Sequence, residues 1–110
     1  MVLRRLCFSF LLALTACSGE TKKTDDLPAE TPEQKGESLF INNCAACHGE
    51  DGKLGASGAK DLSVSRLNEK EMEKIIRNGK NAMPPQKAIL ETDENIQLVI
   101  EHVKRLKNKP

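Results

Sequence analysis

Tryptophan and tyrosine are absent from this 110-residue chain, whose aromatic side chains are three phenylalanines. Two of them, Phe8 and Phe10, sit in the N-terminal apolar stretch, so Phe40 stands alone in everything that follows. Long apolar runs are also lacking. The most apolar stretch, Leu6 to Leu14, falls short of the ~20 residues that a membrane-spanning helix needs. No segment alternates apolar and polar residues convincingly as a strand does, and no internal repeat is present. Neither sign of charge dominates: 17 basic residues face 16 acidic ones, so no nucleic-acid partner is implied. Only one cysteine or histidine, His102, follows residue 48, and the second ligand pair of a structural zinc site is therefore missing. A redox Cys-x-x-Cys of the thioredoxin kind would need a βαβ pattern with runs of Val and Ile, which the chain does not offer.

What the chain does have is Cys44-Ala45-Ala46-Cys47-His48. This C-x-x-C-H spacing is the pattern that fixes a haem covalently as haem c. Side chains at i and i+3 share one face of a helical turn, so Cys44 and Cys47 can each add to one vinyl group of a single porphyrin. His48 follows at once, beside the plane those thioethers fix, where an imidazole nitrogen takes one axial position on the iron.

The N-terminal residues 1–16 read as an export signal of the lipoprotein type, with Arg4 and Arg5 ahead of the apolar run and small residues ending at Ala16. Leu14-Thr15-Ala16-Cys17 resembles the lipobox of bacterial lipoproteins, in which the cysteine becomes the acylated first residue; the alternative is ordinary cleavage near Ala16 and a free Cys17. Several acyl chains, at about 0.8 kcal/mol per buried CH₂, hold a protein at a membrane where a single chain does not. Residues 17–30 then form the lipidated cysteine and a polar, flexible tether, with a reach of roughly 20 Å. Every cysteine acquires an assignment: Cys7 leaves with the signal, Cys17 takes lipid, and Cys44 and Cys47 take haem. Loss of Arg4 and Arg5 leaves 15 basic residues against 16 acidic. The basic cluster Lys104, Arg105, Lys107 and Lys109 reads as a solvated helix end favoured by the macrodipole.

Residues 31–110 form one small domain with three helix signals. Thr31, Pro32 and Gln34 open a helix carrying Gly36, Leu39 and Phe40 towards Cys44. Asn68 with Glu71 opens a second, with Met72, Ile75 and Ile76 on one face and Gly79 as terminator. Thr92 opens a third, where Ile96, Val99, Ile100, Val103 and Leu106 recur at helical spacing. A domain of that size usually needs a staple besides its apolar core. Haem supplies one, and the haem-free chain is expected to be largely unfolded. Met83, in Asn81-Ala82-Met83-Pro84-Pro85, offers a soft thioether to the iron. The proline after it pushes Met83 out of the helical region and stiffens the loop. Met72 is assigned to the core.

With these motifs in place, residues 31–108 resemble the class I c-type cytochromes, specifically the small monohaem bacterial domains found as soluble carriers and as electron-entry modules of oxidases and dehydrogenases. Gly36, Phe40, Cys44, Cys47 and His48 match the N-terminal helix of that family, Met83-Pro84 its ligand loop, and Ile100 to Leu106 its C-terminal helix. The resemblance implies an all-α fold, a small cytochrome c domain of about three main helices around one haem c, in which Gly36 lets the first and last helices cross closely and the haem edge reaches the surface. It also implies a non-enzymatic one-electron carrier with His48 and Met83 as axial ligands, of positive potential, exported and lipid-anchored with its domain facing the periplasm or the cell exterior. Its partners are then a membrane and redox proteins such as an oxidase or dehydrogenase, with Lys53, Lys80 and Lys87 offering a salt-sensitive docking surface, and no small-molecule substrate. The alternatives are a haem-bearing subunit of a larger oxidoreductase complex, or a peroxidase or gas sensor with a labile sixth ligand. The chain departs from the family twice. The proline whose carbonyl usually orients the haem histidine is missing from Gly58-Ala59-Lys60-Asp61-Leu62, where any backbone carbonyl has to serve. An aromatic of the last helix is replaced by His102, which implies a looser crossing and makes His102 a competitor to Met83 for the iron.

Overall fold

The computed structural model describes residues 28–109. The signal expected over residues 1–16, the lipidation expected at Cys17 and the expected tether as far as residue 27 lie outside the described residues.

The three expected helices form where their caps stand. Helix α1, Pro32–Asn43, opens with a reciprocal box: Gln34 N–H donates to Thr31 Oγ1 and Thr31 N–H donates to Gln34 Oε1, satisfying two amides that the first turn leaves without partners. Cys44 ends it, and the chain continues at once into a single turn, α2, Ala45–His48. Helix α3, Glu69–Asn78, carries the same box between Asn68 and Glu71 and stops at Gly79, whose positive φ removes it from the helix. A second short turn, α4, spans Lys87–Leu90. The last helix, α5, Asp93–Lys107, starts from the Thr92 hydroxyl, which accepts from Asn95 N–H. Among the described residues there is no strand, and the one extended pairing is an isolated bridge between Lys80 and Met83. The short turns α2 and α4 carry no periodicity of their own; packing, rather than propensity, holds them.

The stripe read from α5 is the centre of the core. Ile96, Val99, Ile100, Val103 and Leu106 are all buried, joined by Phe40 from α1, Met72 and Ile76 from α3 and Leu90 from α4. Met72 is therefore a core residue, as its helical face indicated, while Ile75 is half-buried. Helices α1 and α5 meet at Gly36, where an added Cβ would lie 2.5 Å from the Leu98 carbonyl oxygen. A close approach of backbone to backbone is possible there only without a side chain.

His102 does not loosen this crossing. Its ring is 6% exposed and lies 4.8 Å, centroid to centroid, from Phe40 at an interplanar angle of 36°. It thus occupies the place of the missing aromatic and gives Phe40 a ring partner. Burial lowers its pKa, Arg105 and Lys109 lower it further, and Glu37 and Glu33 oppose them. The basic end of α5 is also more engaged than a solvated helix terminus. Lys104 reaches Glu69 of α3 and Glu101, while Arg105 pairs with Glu33 of α1 at 3.4 Å. These pairs are largely exposed and contribute little individually.

Two outcomes follow from this packing. Overpacking costs about 1–3 kcal/mol, more than the ~1 kcal/mol that alanine gains over glycine inside a helix. Gly36→Ala should therefore lower the unfolding free energy of the haem-loaded protein in chemical denaturation; a rise in stability would mean that the helices do not meet there. Because the folded state holds His102 below its ordinary ~6.5, the stability this group contributes is present above that value and is lost as pH falls through the lowered one. The drop in melting temperature between about pH 7.5 and about pH 5 should accordingly be smaller in His102→Leu than in the parent.

Candidate functional site

Cys44, Cys47 and His48 are presented by the junction of α1 and α2. The Cys44 carbonyl accepts from the N–H groups of both Cys47, at 3.2 Å, and His48, at 3.0 Å, so one tight turn fixes all three residues relative to one another. Gly49, at φ +79°, ends the turn. Beyond it the chain forms a loop closed at its neck by Leu62 N–H donating to the Gly52 carbonyl at 2.8 Å, and held to α2 by Leu54 N–H donating to the His48 carbonyl. A Cβ on Gly52 would meet Leu62 and Leu106, so the loop neck lies directly against α5.

This loop supplies the carbonyl that the sequence left unassigned. His48 Nδ1 lies 3.0 Å from the Lys60 carbonyl oxygen. A carbonyl only accepts, so Nδ1 carries the proton and Nε2 keeps its lone pair for a metal. Such a bond also fixes the ring plane. The loop therefore does without proline by closing its neck at Gly52 and Leu62, and the carbonyl two residues before Leu62 falls to the histidine.

Cys44 and Met83 both pack against the one hydrophobic core, together with Leu39, Ala45, Leu62 and Leu67. Burial pushes the Cys44 thiol up to about 11, with Cys47 adding a smaller effect in the same direction. At neutral pH it is a neutral thiol, a poor nucleophile within this packing. Cys47 is exposed, and both thiols are free. The segment between His48 and α3 also leaves large apolar side chains uncovered, Leu54 at 61% and Val64 at 71% exposure. Two thiols, an imidazole with a free Nε2 and a half-buried thioether are a donor set that suits a porphyrin and its iron, and the uncovered apolar groups suit its macrocycle. His102 is not part of this set: its ring faces Phe40, and the cavity it borders is lined by Glu33, Glu37, Arg105, Leu106, Asn108 and Lys109. Among the described residues, no group of three or more His, Cys, Asp or Glu side chains gathers to hold a metal ion without a porphyrin. Lys53, Lys80 and Lys87 are exposed.

Sequence reasoning placed the carbonyl within residues 58–62 without choosing its residue, and missed Gln86. Lys60 acts through its backbone, which carries no side-chain signal. Gln86 is buried directly after the Met83-Pro84-Pro85 run and donates to the Pro84 carbonyl; its only sequence signal is its place after two prolines.

Comparison with known proteins agrees with the geometry. The family described as cytochrome c oxidase, cbb3-type, subunit III matches residues 31–103. The chain is similar to a cytochrome c-551 of Bacillus subtilis (strain 168), 34% identical over 82 residues, covering 70% of this chain and 72% of the relative. It is similar to a cytochrome c6 of Gracilaria tenuistipitata var. liui, 34% identical over 107 residues, covering 90% and 92%. A third likeness is to the cbb3-type cytochrome c oxidase subunit CcoP of Rubrivivax gelatinosus, 35% identical over 80 residues, which covers 68% of this chain. The chain spans about a quarter, 26%, of that relative's length.

Proposed function

Because the chain belongs to the class I c-type cytochromes, an electron-carrier family that binds haem c covalently, we propose that it passes single electrons through one haem held by Cys44, Cys47, His48 and Met83, on a domain tethered to a bacterial membrane through Cys17. The observation that carries the ligand assignment is the His48 Nδ1 contact with the Lys60 carbonyl, which leaves Nε2 free. The haem supplies reversible one-electron chemistry between Fe(II) and Fe(III), at a potential that its axial ligands and burial set.

The residues divide the remaining work. Cys44 and Cys47 would fix the macrocycle in place through their thiols, the first half-buried and the second exposed. His48 supplies a strong nitrogen donor whose orientation the Lys60 carbonyl maintains. Met83 supplies a thioether that favours the reduced state and raises the potential relative to a second histidine. Leu39, Leu62 and Leu67 exclude water from the apolar side of the site. If His48 and Met83 both held the iron, no position would remain for a substrate, which would separate a carrier from a peroxidase or gas sensor. The exposed Lys53, Lys80 and Lys87 offer a partner a weak, salt-sensitive surface.

The likeness to an oxidase subunit favours a second reading, in which the same domain is a permanent component of a membrane oxidoreductase. Co-purification of a stoichiometric partner from detergent-solubilised membranes separates that reading from a free-standing carrier.

Carbon monoxide tests the ligand assignment. The reduced parent should bind it weakly at neutral pH, Met83→Ala should bind it readily and show a lower potential, and His102→Ala should do neither. Opening of the iron by His102→Ala instead would overturn the assignment. Mass spectrometry of the mature N-terminus tests the tether: an acylated Cys17 is expected, whereas an unmodified N-terminus in the soluble fraction would make the protein a diffusible carrier.

A further inference from the structure

The loop that carries Met83 has few ways to be held. Pro84 and Pro85 have no N–H, so two consecutive residues cannot anchor themselves as donors. Both are exposed, and so are Asn81 and Ala82. What remains is a small frame. Lys80 N–H donates to the Met83 carbonyl and Met83 N–H donates to the Lys80 carbonyl, each at 3.0 Å, with Asn81 turned left-handed at φ +55° between them. Beneath this turn lies Gly79, at φ +74°, where an added Cβ would strike the Met83 carbonyl oxygen, with Pro85 N at 2.9 Å and Pro84 C at 3.0 Å. On the far side of the prolines the Gln86 N–H donates at 2.8 Å to the Ile76 carbonyl, tying the loop's end back to α3.

One side chain completes the frame. Gln86 is 5% exposed, and its Nε2 donates at 3.1 Å to the Pro84 carbonyl. That carbonyl belongs to the residue immediately after Met83, and because Pro85 has no N–H it is the only polar handle the Pro84–Pro85 peptide offers. The arrangement has a cost, because Gln86 Oε1 is buried without a partner. An apolar residue would fill the same space without that desolvated acceptor. A buried carboxamide kept against this cost, with its donor spent on the peptide beside the iron's proposed ligand, points to a role in position rather than in stability.

We propose that Gln86 is a positioning residue for the sixth ligand: through Pro84 it holds Met83 against the frame built on Gly79 and Lys80, and so keeps the thioether from yielding its place to competing ligands. This rests on the reading of Met83 as an axial ligand. Gln86 touches neither haem nor iron in this scheme and acts only through the loop.

The test is equilibrium binding of imidazole to the oxidised haem-loaded protein, followed by absorption, together with the thermal melting of the same samples. Imidazole reaches the iron only when Met83 has left, so its apparent affinity reports how firmly the thioether is held. Gln86→Leu should bind imidazole about tenfold more tightly, the equivalent of losing one hydrogen bond of roughly 1.4 kcal/mol, while its melting temperature stays level or rises. Gln86→Asn, one methylene shorter and out of reach of the Pro84 carbonyl, should show the same tightening with a smaller change to the core. Asn95→Leu is the control: Asn95 makes a similar bond, Nδ2 to the Leu90 carbonyl at 2.8 Å, and has an equally unpartnered Oδ1, but on α5. It should change stability and leave imidazole binding alone. If Met83→Ala tightens imidazole binding and neither Gln86 variant does, the positioning role is wrong and the ligand stands. If Met83→Ala also leaves it unchanged, the ligand assignment fails and the positioning role falls with it.

Discussion

A domain of about eighty residues with one phenylalanine and no tyrosine or tryptophan has a small core, and a staple adds much to its stability. The buried cluster around Phe40 is small and aliphatic, and large apolar groups at Leu54 and Val64 remain uncovered. Covalent haem c would bring a large apolar macrocycle to such a core. In the proposed ligation the iron also bonds residues from the two halves of the chain, His48 after the first helix and Met83 before the last, with α1 and α5 crossing at Gly36 to close the structure behind them. Such a cross-link removes freedom from the unfolded chain at the same time as it fills the core.

The same economy explains the loops. Neither segment proposed to approach the iron contains more than a short 3-10 turn at Ala56–Gly58, yet each is fixed by a few main-chain contacts. The first closes at Gly52 and Leu62 and offers the Lys60 carbonyl to His48. The second folds on Gly79 and is held through Pro84 by Gln86. A one-electron carrier benefits from such rigidity, because ligand geometry that does not change between oxidation states leaves little to rearrange when the electron moves.

Much of this was legible in the sequence, for physical reasons specific to each residue. The capping boxes at Thr31 and Asn68 marked helix starts because side-chain oxygens at those positions satisfy amides that nothing else can. The α5 stripe marked the core because its spacing matches one helical face. Gly36 was recognisable through the family pattern, and the contact with the Leu98 carbonyl supplies the reason for it. The position of His102 was misread as a looser crossing, since a histidine was weighed by its charge and ligand chemistry; neutral and buried, its ring packs on Phe40 as another aromatic would. Lys60 could not be singled out within residues 58–62, and Gln86 was not seen at all, for a common reason. One acts through a main-chain carbonyl and the other upon one, and neither the carbonyl's direction nor the fold that turns it has a signature in residue type.

The central claim is that Met83, and not another residue, completes the bond that joins the two halves of the chain through iron. Proton NMR of the reduced, diamagnetic protein with labelled methionine methyl groups tests it most directly, since a methyl held over the macrocycle feels its ring current. The expected result is a Met83 methyl resonance far upfield of its usual position and a Met72 resonance close to it, with Met83→Ala abolishing the upfield signal. Two methionine methyls at ordinary shifts in the reduced protein would contradict it.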